Sequence, residues 1–85
     1  MSATSIPNPA AILAEARLNI HSAVAEHGNR RRMFAHHAAT LSADAALHPD
    51  VEASQWSTAQ LYLDETAGLL ALADEEMAAA PSCPA

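Results

Sequence analysis

The chain is 85 residues long and carries a formal charge of −6, from ten carboxylates against four arginines and no lysine. That length allows one domain near the lower limit for an independent core, and the acidity argues against general binding of nucleic acid or anionic membranes, which depends on positive charge. A single cysteine, Cys83, excludes an internal disulfide framework and a cysteine metal cluster, and no apolar run is long enough to span a bilayer.

Hydrophobic residues make up 51%, but alanine dominates them, and Phe34, Trp56 and Tyr62 are the only aromatic residues. Alanine buries little area, so such a core must bring helix axes close together or borrow apolar surface from a second chain. Only two glycines occur, and the five prolines punctuate the chain rather than interrupt its alanine-rich stretches, the distribution expected of an all-α protein.

In chain order, residues 1–7 read as a flexible arm with neither a basic start nor an apolar run, so no secretion signal is expected and the cytoplasm is the expected location. A single helical domain is expected over 8–80. Asn8 should cap a first helix over 9–27, with Pro9 where its missing N–H costs nothing. Ile12, Leu13, Ala16, Ile20, Ala23, Val24 and His27 recur at helical spacing. Gly28 and Asn29 supply the stop, with glycine in the left-handed conformation that ends many helices.

A second helix is expected over 30–47, with Met33, Phe34, His37, Ala38, Leu41 and Ala45 on one stripe and Pro49 ending it. The apolar phase also continues through Gly28. One rod from Pro9 to Leu47 therefore fits too, at about 58 Å and with an interior glycine costing about 1 kcal/mol. The break is preferred, because a rod leaves little chain to cover it.

The third helix is expected to start at 51 or at 57 and to run to 79, since Ser57, Thr58, Ala59 and Gln60 read as a capping box. Its heptad sets Trp56, Leu63, Leu70 and Met77 seven apart, with Ala59, Thr66, Ala73 and Ala80 between them. Leu61 and Leu72, 11 residues apart, point away from that stripe, with Gly68 beside them and Asp64 and Glu65 adjoining. Two leucines on what should be the wet side suggest a second packing surface, for a protein partner or another copy of the chain. Residues 81–85 read as a flexible tail.

Charge placement then selects a topology. Arg30, Arg31 and Arg32 sit in the first turn of the second helix, where exposed N–H groups already make the helix end positive. Asp74, Glu75 and Glu76 face the converse difficulty near the end of the third. An up-down-up three-helix bundle brings the two triplets level at one end, where opposite charges meet. The same arginines could instead bind an external phosphate or nucleic acid, although the net charge makes nucleic acid an improbable partner.

Five histidines complete the inventory. Asp44 and His48 form an i, i+4 pair suited to a local ion pair, and His37 is expected at the edge of the core. His21, His36 or His48 could contribute to a metal site only across a dimer. The sequence has no Glu-x-x-His repeat, no His-Glu-x-x-His and no glycine-rich phosphate loop. The expected function is therefore non-catalytic and cofactor-free: a small acidic interaction protein, serving as adaptor, inhibitor or assembly subunit, with a homodimer among its expected forms.

Overall fold

A computed structural model describes residues 7–79; the rest of the expected arm, Ala80 and the expected tail with Cys83 lie outside the described residues. The described residues fold as three helices in up-down-up order, α1 (Pro9–Ala25), α2 (Gly28–Leu47) and α3 (Ala53–Ala79). The central α2 packs along both neighbours, whereas α1 and α3 touch over far less of their length.

The start of α1 follows directly from local sequence. The Asn8 side chain accepts the Ala11 N–H at 2.8 Å, and Pro9 occupies the first turn. The far end of α1 differs from expectation. It stops at Ala25, and Glu26 and His27 are both extended. Gly28 does adopt the left-handed conformation, with φ +60°, but it opens α2 instead of terminating α1. Two extended residues are what reverse the chain, and the positive φ turns the Gly28 N–H toward α3. The continuous rod is excluded.

Two details at the opposite end also correct the sequence reading. α3 is one unbroken helix from Ala53, so the box at residues 57–60 starts nothing. The start is set a turn earlier, where the Gln55 side chain accepts the Glu52 N–H at 2.9 Å and Trp56 N–H donates to Glu52 O at 2.8 Å. His48 does not pair with Asp44. Its Nδ1 accepts the Asp50 N–H at 3.0 Å, which leaves Nε2 to carry the proton and donate to Pro7 O at 3.1 Å. The ring thereby ties the start of α1 to the α2–α3 turn.

The core is alanine-lined to an extent that the pattern of large residues conceals. Among the described residues nine hydrophobic side chains are buried, and seven of them are alanines, the others being Leu13 and Ile20. Ala16 and Ala23 on α1, Ala35, Ala38 and Ala45 on α2, and Ala59 and Ala73 on α3 have no exposed surface, and Ser42 and Thr66 complete the line. Small side chains along every contact line let the helices approach closely, which gains dispersion contacts that bulk alone does not provide. Both buried hydroxyls are satisfied within their own helices, Ser42 on Ala38 O at 2.8 Å and Thr66 on Leu63 O at 2.9 Å.

It follows that several expected core residues lie outside it. Val24, Met33 and Trp56 are half or more exposed, and Met77 is partly so. His27 and His37 are exposed as well. In the third helix the alanine and threonine positions of the heptad face inward, while Leu63 and Leu70 sit half-buried on the flank. The heptad spacing was right, but the smaller member of each pair faces the core.

Candidate interaction site

Two regions carry the chemistry singled out in the sequence: the bundle end where α1 turns into α2, and the outer side of α3. At the turn, Arg31 and Glu76 form a nearly buried ion pair, with side chains 11% and 15% exposed. Each also caps a helix other than its own. The Arg31 guanidinium donates to Ala23 O at 2.9 Å and to Val24 O at 3.2 Å, two of the last carbonyls of α1. Glu76 accepts the Gly28 N–H at 2.8 Å at the start of α2, where His27 provides no side-chain cap.

Each of these two charges is unfavourable at the end of its own helix. Across the bundle the sign inverts: a cation sits on the negative C-terminus of α1 and an anion on the positive N-terminus of α2. One ion pair thus fastens three helix ends. The Gly28 N–H bond holds the Glu76 carboxyl below its ordinary range; partial burial opposes this, while the nearby charges of Arg31 and His27 and the Arg31 hydrogen bond add to the lowering. His27 Nδ1 lies 3.2 Å from the same carboxylate.

The expected meeting of the two triplets is therefore realised, but unevenly. Arg32 lies 3.7 Å from Asp74, an exposed and weak pair. Arg30 turns back to Glu26 at 3.0 Å and lies over the Phe34 ring at 5.9 Å. Glu75 makes no ion pair among the described residues. As a phosphate site the triplet offers little that is unoccupied, since Arg31 is enclosed and all three guanidinium groups have intrachain partners.

The outer side of α3 is the reverse. Leu61 and Leu72 are 56% and 40% exposed. Gly68, between them, has open space where a Cβ would stand. Asp64 and Glu65 are exposed and form no ion pair among the described residues. All five predicted partner-contacting residues thus lie on the solvent side of one helix.

Beside this face runs a feature that the sequence did not disclose. A groove of about 460 Å³ runs along α1, lined by Ala10, Leu13, Ala14, Arg17, Leu18 and His21, with Tyr62 of α3 on its other side. Tyr62 stands on its α3 side, and Glu65 and Leu69 follow at i+3 and i+7 on the same flank. Leu61 directly precedes Tyr62, so groove and outer face adjoin at that level. Among the described residues no three histidine, cysteine or carboxylate groups gather closely enough to hold a metal ion, and no helix is long and apolar enough to cross a membrane.

No family model, curated protein or solved structure matches the chain. Its function must be argued from these two regions.

Proposed function

We propose that the chain is a non-catalytic protein-interaction module of the cytoplasm, an adaptor, inhibitor or assembly subunit that docks through the apolar and acidic outer face of α3. The observation carrying this reading is the exposure of Leu61 and Leu72 on either side of the open Gly68, with Asp64 and Glu65 beside them and in no ion pair among the described residues. Exposed leucines flanking a glycine and rimmed by charge suit a docking surface. The arginine end supports the same conclusion indirectly. Its charges are occupied within the fold, so they set the arrangement of helices and leave the α3 face as the uncommitted chemistry.

The test is capture from lysate of the producing organism, comparing the native chain with a Leu61→Lys, Leu72→Lys variant of unchanged helicity. A species retained by the native chain and lost by the variant supports the proposal. Identical retention, together with identical self-association, overturns it.

A further inference from the structure

We infer that the outer face of α3 and the adjoining α1–α3 groove together form a self-complementary surface, and that its occupant is the α3 of a second copy, antiparallel to the first. This rests on the docking role proposed above and names the partner. The inference begins with Arg17. Of the four arginines it alone makes no ion pair among the described residues. It lines an otherwise largely apolar groove with Leu13, Leu18, His21 and Tyr62. A cation on one wall and unpaired carboxylates on the neighbouring face, left apart within one copy, are brought together when two copies exchange them.

The register agrees. A two-fold axis placed midway between Leu61 and Leu72 sets each leucine against the partner's other leucine. The same axis sets Gly68 against the partner's Glu65, because those two positions share that midpoint. The space open at Gly68 admits the aliphatic stem of the incoming glutamate.

The level of Arg17 follows from the fold. Leu13 and Tyr62 belong to one packed cluster and both line the groove, and α1 and α3 run in the same direction. Four residues further along each helix, Arg17 is level with Thr66. The partner's Glu65, opposite Gly68, then lies about 3 Å further along the axis. That is within the reach of an arginine side chain. Glu65 is also on the groove side of α3, three residues from Tyr62, so its carboxylate emerges toward the partner's groove. The result is an isologous interface with two symmetry-related Arg17–Glu65 pairs and paired leucines on either side of a glycine notch.

The experiment is sedimentation equilibrium over a wide concentration range, on the native chain and four variants. The native chain should form a dimer. Arg17→Glu and Glu65→Arg should each raise the dimer dissociation constant about tenfold, as two paired contacts become repulsive, and the double variant should restore association. Gly68→Trp should abolish the dimer without loss of helicity, since the position is exposed and a Cβ placed there meets nothing in the monomer. A native chain that stays monomeric throughout overturns the inference, and so does a dimer indifferent to Gly68→Trp or a charge swap without rescue. A monomer that still captures another protein through Leu61 and Leu72 ends the self-pairing and leaves the docking role standing; the docking role fails only when capture and association are both unaffected by Leu61→Lys and Leu72→Lys.

Discussion

The α1–α2 turn and the outer face of α3 are built from similar materials, charged residues beside a glycine, yet they use them in opposite ways. At the turn, Gly28 is buried and its N–H is bound, Arg31 and Glu76 are nearly enclosed, and each cluster has found its counter-charge within the chain. On α3, Gly68 has empty space in front of it, and Asp64 and Glu65 form no ion pair among the described residues. The difference shows how to separate charge that serves folding from charge available to another molecule: the first kind is engaged by helix ends, the second stands on a helix flank next to exposed leucine.

The most damaging substitution should be Arg31→Met. It removes hydrogen bonds to two α1 carbonyls and leaves Glu76 without its principal cation, so thermal unfolding should show a loss of about 2–3 kcal/mol. Arg32→Met, beside it but exposed, should cost about 0–1 kcal/mol. Equal losses for the two would mean that Arg31 has no special place in fastening the helix ends.

Gly28→Ala sharpens the same side of the comparison. Positive φ is costly for any residue with a Cβ, so a loss of about 1–2 kcal/mol is expected in chemical denaturation, although the position has room for a methyl group. Gly68→Ala should do the reverse and stabilise the isolated monomer by about 0.5–1 kcal/mol, because alanine is the better helix former and nothing obstructs it.

Acid should act through the turn as well. Because the folded-state pKa of Glu76 is depressed, the stability it contributes is present above the ordinary carboxylate pKa near 4.5 and is lost as pH falls through its lower folded value. A Glu76→Gln variant should therefore show a shallower decline in stability over that acidic window. A decline as steep as that of the native chain would assign the acid sensitivity to other carboxylates.

The smallest effect is expected on the open face. Leu61→Lys and Leu72→Lys should change monomer stability by no more than about 0.5 kcal/mol each, measured at concentrations too low for association. A large loss would show those leucines to be part of the core and would remove the contrast between the two regions.

Much of this architecture was legible in the residues. Asn8 and Pro9 located the start of α1, Pro49 the end of α2, and the misplaced charge triplets selected the antiparallel order of helices. The solvent-facing position of Leu61 and Leu72 also followed from spacing alone. The core was less legible. In an alanine-rich helix the large residues dominate the visible pattern, so Val24, Met33, Trp56 and Met77 marked a stripe that lies beside the true contact line. The capping role of Glu76 left no usable sign, because Asn29 stands where a cap would be for a helix starting at residue 30, and only the start at Gly28 leaves the first N–H groups to an acceptor from elsewhere.

What the sequence determined by itself is local and electrostatic. Caps and breakers act within a turn of their own position, and charge clusters near helix ends demand a counter-charge whatever the fold. Which face of each helix turned inward, which helix end each charge came to serve, and how far α1 and α3 touch were decided by tertiary packing. Alanine permits contact on any side, so only the joint fit of three helices could choose among the faces and leave a groove beside Leu61.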